Sequence, residues 1–155
     1  MNKLYVLVGV PASGKSTWVK QQDWAKDCSV VSTDRFVDEY AAKQGKTYSE
    51  VFDEYMPIAV RLMANHVAVA QANGRDIIWD QTSTTIASRA RKFNMLPEYY
   101  KIAVVFKTPP AAELKKRLDS RPGKVIPWEV VSQMAQQLEA EPPTEEEGFD
   151  EIWYT

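Results

Sequence analysis

The stretch Gly9–Ser16, GVPASGKS, fits the pattern GxxxxGK(S/T) and begins directly after LYVLV, an apolar run that reads as a buried strand. No other feature restricts the fold as much. A loop between a strand and a helix N-terminus turns its backbone N–H groups inward, where they can cradle a triphosphate. Gly9 and Gly14 allow backbone freedom and close approach without a Cβ. Lys15 can reach the β- and γ-phosphates, and the Ser16 hydroxyl can sit on Mg²⁺. The chain is therefore expected to bind ATP with Mg²⁺, through Gly9, Pro11, Ala12, Ser13, Gly14, Lys15, Ser16 and Thr17.

At 155 residues the chain suits one domain, 1–155, large enough for a real core and too short for a helicase or an AAA-type motor. It has no apolar run of roughly 18 residues, so no spanning helix and no membrane partner are expected. The short apolar run at the N-terminus leads straight into the glycine loop, which makes it structural rather than a signal sequence. The single cysteine, Cys28, excludes an internal disulfide and fits a reducing cytoplasm. Without a Cys/His cluster a zinc site is excluded too.

The formal net charge of −2 hides an asymmetry. All 19 Lys and Arg precede residue 139, against 14 acidic residues in the same span; residues 139–155 carry seven acids and no base. A mildly basic body with an acidic tail is compatible with phosphate-rich substrates, and equally with a solvated tail that aids solubility.

β-rich runs recur at Leu4–Val8, Ser29–Ser32, Asp76–Trp79, Ile102–Phe106 and Glu151–Tyr154. Helical spacing occupies Lys15–Lys26, Tyr48–Asn73, Thr84–Met95, Pro110–Ser120 and Pro127–Glu139. Alternating strands and helices predict an α/β fold, with a central, mostly parallel five-stranded sheet and helices on both faces. Residues 117–127 contain SRPGKVI, a Pro-Gly segment with exposed bases that reads as a mobile basic lid.

In such sheets ligands sit beyond the C-terminal strand ends. Besides the glycine loop, two ends carry suitable groups: VVSTD presents Asp34 followed by Arg35, and DIIWD presents Asp80 followed by Gln81, Thr82 and Ser83. Asp80 could hold a Mg²⁺ water or orient Lys15. Asp34 is free to accept a proton from an attacking hydroxyl, or to N-cap a following helix. Arg117, Arg121 and Lys124 could close over the triphosphate and stabilise charge; for Arg117, solvent-facing charge at a helix C-terminus is an equal alternative. Arg89, Arg91 and Lys92 could meet acceptor phosphates or form a solvated face. Asp34, Arg35, Thr82 and Arg89 are the expected acceptor contacts. His66 and Trp18 read as packing residues.

Assembled in order, GVPASGKSTW, STD, WDQTS with arginines following, RLDSRPGKVIP and PPTEEEGFDEI resemble the kinase domain of the phage-type polynucleotide 5′-hydroxyl kinase family, P-loop kinases of the AAA-type ATP-binding group. The resemblance implies a P-loop kinase fold. It also implies Asp34 as the base that activates a 5′-hydroxyl, Lys15 and Ser16 on ATP–Mg²⁺, Asp80 as the strand-three acid and Arg121 in the lid. The acceptor would be a nucleic-acid 5′ end, single-stranded DNA or RNA. In the phage members an arginine three residues beyond the base holds the acceptor's 3′-phosphate; here that position is Val37. Some relatives continue into a phosphatase or join a ligase, so any end-healing phosphatase is expected from another protein.

Two other functions compete. The same residues could phosphorylate a small-molecule hydroxyl of a nucleoside, sugar or antibiotic. A nucleotide-dependent switch is the third, but the sequence has no DxxG after strand three and no (N/T)KxD motif.

Overall fold

The apolar runs become strands because each offers side chains to two covered faces. Strands β1 (Lys3–Val8), β2 (Ser29–Val31), β3 (Ile77–Trp79), β4 (Tyr100–Val105) and β5 (Glu151–Tyr154) form one sheet in the order β2-β3-β1-β4-β5. This is a computed structural model, and it describes residues 1–155. All four pairings are parallel, so the sheet is wholly rather than mostly so. On one face Leu4, Val6 and Val8 pack with Ile77, Trp79 and Val67; on the other, Tyr5 and Leu7 pack with Ile78, Ile102 and Val104. Full burial of each such aliphatic side chain stabilises by about 1.5–3 kcal/mol over exposure, enough to fix the register of β1.

The helices are α1 (Lys15–Gln21), α2 (Asp34–Gln44), α3 (Tyr48–Ala72), α4 (Ile86–Met95), α5 (Ala111–Asp119) and α6 (Trp128–Ala140). The helix expected over Lys15–Lys26 is shorter. Gln22 turns extended (φ −96°, ψ 114°), and a 3-10 turn at Asp23–Asp27 follows. That turn lays Trp24 against Tyr5, with ring centroids 4.7 Å apart, and half-buried Trp18 packs edge-on to Trp24 and Phe106. Sequence spacing did not indicate α2. It stops at Gly45, whose left-handed backbone (φ 66°, ψ 30°) suits glycine. A capping box then starts α3: Glu50 N–H donates to Thr47 Oγ1 (3.3 Å) and Thr47 N–H donates to Glu50 Oε1 (2.9 Å).

The C-terminal segment is not the solvated acidic tail that its charge suggested. Phe149 is 3% exposed and meets Phe93 edge-on at 4.9 Å, and β5 completes the sheet edge. Three of its seven acids are tied to the body as well: Asp150 Oδ2 accepts from Lys101 N–H, Glu141 Oε1 accepts from Ile86 N–H, and Glu147 pairs with Arg89. The apolar residues interleaved with the acids supply the burial that a free tail would lack.

Candidate active site

The sheet order reverses around β1, and the C-terminal ends of β1, β2 and β3 open into one cleft of about 1580 Å³. The glycine loop forms its floor. Ala12 and Gly14 adopt positive φ (63° and 103°), and a Cβ on Gly9 would meet Ser13 Oγ at 2.6 Å and Phe106 Cβ at 2.9 Å. The first intrahelical bond of α1 is Trp18 N–H to Gly14 O, 2.9 Å, which leaves the N–H groups of Lys15, Ser16 and Thr17 without helical acceptors. Thr82 fastens the loop from the side, its carbonyl accepting from Gly9 N–H at 3.0 Å.

Lys15 is buried and donates through Nζ to the carbonyls of Gly9 (2.9 Å) and Val10 (2.8 Å). Burial lowers its pKa to about 8, opposed by the nearby Asp80 carboxylate and helped by Arg121. Ser16 Oγ donates to Asp80 Oδ2 at 3.1 Å, and burial raises the Asp80 carboxyl despite Lys15 and that hydroxyl. No three His, Cys, Asp or Glu side chains are grouped to hold a metal unaided. One carboxylate and one hydroxyl match an ion that takes its remaining oxygens from phosphates and water, as Mg²⁺ does.

Asp34 is the first residue of α2, at the cleft's opposite side, with Thr33 rather than Asp34 in the cap position. The capping alternative fails on side-chain geometry as well. Asp34 Oδ1 accepts from the Tyr48 hydroxyl at 2.7 Å and Oδ2 from Lys124 Nζ at 2.8 Å, with no bond to its own helix. Burial pushes the Asp34 carboxyl up, but the Lys124 charge and the hydrogen bonds from Lys124 and Tyr48 outweigh it and hold it below its usual value. Lys124 also lies over the Tyr48 ring, 4.2 Å from its centroid.

The basic segment after α5 lies down over this cleft. Gly123, left-handed at φ 69°, offers its carbonyl to Ser49 N–H (3.0 Å), and Val125 N–H donates to Ser49 Oγ (2.8 Å). Arg121 lines the cleft, and its Nη1 is buried with no hydrogen-bond partner. A buried guanidinium donor left unpaired is costly unless an anion joins it. Arg117 Nη1 donates to Ala12 O in the glycine loop at 3.1 Å while Nε bonds Glu113, so it faces the loop rather than only solvent.

The cleft thus gathers all of the expected contacts but two. Gly9 acts from behind, by its packing. Arg89 is the correction: it is fully buried in α4, in a bidentate pair with Glu147 (Nη2 to Oε2, 3.1 Å) and bonded to the carbonyls of Ser83 (3.0 Å) and Glu141 (2.8 Å). Lys92 is buried beside it, so of the expected basic cluster only Arg91 lies on the solvated face of α4, outside the cleft. Arg35 reaches the cleft wall but is engaged with Glu39 at 3.2 Å. Val37 is fully buried between α2 and α3 and offers the cleft nothing. Sequence reading passed over Tyr48, which looked like an ordinary first helical residue. The TYSE capping signal gives the helix start but not the Asp34 contact.

A family profile described as AAA domain matches residues 4–141. Among solved structures, a chain of the Pnkp1/Rnl/Hen1 RNA repair complex aligns at 25% identity with TM-score 0.65, covering 90% of this chain and 44% of that one. This chain therefore spans less than half the length of that relative. A chain from the PezAT chromosomal toxin–antitoxin system of Streptococcus pneumoniae aligns at 17% identity and TM-score 0.71, covering 99% and 68%. Shikimate kinase from Acinetobacter baumannii, in complex with shikimate, aligns at 17% and 0.58, covering 100% and 84%. At such identities the last two are similarities of fold.

Proposed function

This chain belongs to the AAA domain family and has the fold of a P-loop kinase, and from that premise we propose that it transfers the γ-phosphate of ATP to the 5′-hydroxyl of a polynucleotide. Asp34 carries the reading: a carboxylate held ionised in the same cleft as a glycine phosphate loop. A switch protein has no use for such a base. In this reading Asp34 takes the proton of the acceptor hydroxyl as it attacks, using a lone pair that Tyr48 and Lys124 leave free. The loop N–H groups, Lys15, Arg117 and the unpaired Arg121 donor hold the triphosphate and the charge that builds on the transferring group. Ser16 and Asp80 would hold Mg²⁺, which when bound would neutralise negative charge on the phosphates.

Two pH effects follow. Lys15 titrates near pH 8, so at pH 9 it is mostly neutral before ATP arrives, and the triphosphate restores its charge. ATP binding at pH 9 should therefore take up a fraction of a proton, read by calorimetry in buffers of different ionisation enthalpy. Lys15→Arg, which stays charged, should show no such uptake. A buffer-independent binding heat in the wild type would contradict this assignment.

For Asp34 the folded carboxyl is depressed, so the activity it supports is present above its pKa and lost as pH falls through it. Lys124→Ala removes the main opposing charge and should move the acid limb of kcat/KM to higher pH. An unshifted limb would show that Lys124 leaves the Asp34 carboxyl when ATP binds.

The polynucleotide acceptor is supported by the relation to the RNA repair complex chain, the most sequence-similar of the three structures described. A second reading, a small-molecule hydroxyl, is favoured by one observation. The acceptor side of the cleft carries Asp34, Asp38, Glu39 and Asp53, while its cations Arg35 and Lys124 are already paired. Labelled ATP offered with 5′-hydroxyl oligonucleotides, free nucleosides and polyols separates the two. Preferential labelling of oligonucleotides is expected, and labelling of polyols alone would favour the second.

A further inference from the structure

Resting on the polynucleotide reading, we infer that this protein grips the acceptor by the face of its terminal base, on Phe52 with Met56 and Val125, and not by the 3′-phosphate. Three observations converge. First, the wall around Asp34 offers no free cation to meet that phosphate: Lys124 is bonded to Asp34, and the unpaired Arg121 donor goes to the triphosphate in this reading. Val37, three residues past Asp34, is fully buried, and Arg35 is bonded to Glu39. The carboxylates of Asp38 and Asp53 line the same wall and would repel a phosphate placed there.

Second, the wall carries apolar surface that the fold does not cover. Phe52 is 38% exposed and Val125 77% exposed, both in the cleft lining together with Met56. Phe52 belongs to the apolar stripe of α3, yet it turns to the cleft while its neighbour Val51 is fully buried. An exposed aromatic in a cleft of charged groups is surface available to a flat apolar ligand.

Third, this surface adjoins the reacting group. Tyr48 and Phe52 are one helical turn apart with ring centroids 5.5 Å apart, and the Tyr48 hydroxyl holds Asp34 Oδ1. Val125 is fastened to the same turn of α3 through Ser49. A base lying on Phe52 would therefore leave its own sugar close to Asp34. Stacking on one aromatic tolerates every base, so the site would accept ends of any sequence.

The test compares four acceptors with labelled ATP: a 5′-hydroxyl oligonucleotide, the same strand with an abasic 5′-terminal residue, a nucleoside 3′-phosphate and the matching nucleoside. Loss of the terminal base should lower kcat/KM by about ten- to a hundredfold, the range for one stacked base. Phe52→Ala should lose as much on the intact strand and little more on the abasic one, with ATP affinity unchanged; Phe52→Trp should retain activity. The 3′-phosphate should change kcat/KM by less than about threefold.

A large 3′-phosphate dependence with Phe52→Ala silent would overturn the platform and leave the kinase reading standing. A Phe52→Ala variant that loses ATP affinity along with transfer would assign Phe52 to the fold instead, which also overturns it. If wild-type protein labels none of the four, the polynucleotide reading and the platform fall together.

Discussion

Asp34→Ala is expected to lower phosphoryl transfer by about two to four orders of magnitude, the usual contribution of a positioned general base, while ATP affinity stays within about threefold. The separation follows from where the carboxylate sits. It touches Tyr48 and Lys124, and no atom of the glycine loop. Lys15 feels Asp34 only as a distant charge, after its own burial, Asp80 and Arg121. Asp34→Asn sharpens the test, because the amide keeps the shape and can still accept from Tyr48 but cannot take a proton. It should lose nearly as much as alanine. If Asn retained most of the activity, Asp34 would be holding Tyr48 and the lid in place rather than moving a proton. If ATP affinity and transfer fell together, its role would be structural.

The second large effect is on stability, away from the cleft. Arg89→Ala should destabilise the fold by about 3–5 kcal/mol, the cost of leaving one partner of a buried ion pair uncompensated. Glu147, 6% exposed at its side chain, would be stranded, and the carbonyls of Ser83 and Glu141 would lose their donors. For a chain of this size that is a fall in Tm of about 6–20 °C. The double variant Arg89→Met with Glu147→Leu should recover part of the loss, since it removes the stranded charge. It should not recover all, because the two carbonyls stay unsatisfied. Thermal unfolding of the two variants checks this, and a loss below about 1 kcal/mol for Arg89→Ala would mean the pair is solvated in solution. The site would feel the change too: Ser83 directly follows Thr82, whose carbonyl anchors Gly9.

Arg89 also marks where sequence reading stops. The five strands, the glycine loop and the carboxylates at two strand ends were legible, because each is a local pattern: an apolar run, a glycine spacing, an Asp at a run's end. Arg89 was not. Its partner Glu147 lies 58 residues on, and nothing local distinguishes a buried arginine from a solvated one. The helix α2 was hidden for a related reason. Only Val37 and Ala41 in it are fully buried, too few to show a period in a stretch that is otherwise mostly polar. Missing α2 obscured the acceptor side, since Asp34 heads that helix and meets Lys124 across 90 residues. Phe52 carried no signal of its own, because periodicity cannot tell the inner edge of an apolar stripe from its cleft-facing edge.

Transfer of phosphate to a 5′-hydroxyl is measured most directly with γ-labelled ATP and Mg²⁺ and one oligonucleotide in two forms, 5′-hydroxyl and 5′-phosphorylated. Label is expected to enter the 5′-hydroxyl strand and to be absent from the phosphorylated one. Binding or hydrolysis of ATP with neither strand labelled would contradict it.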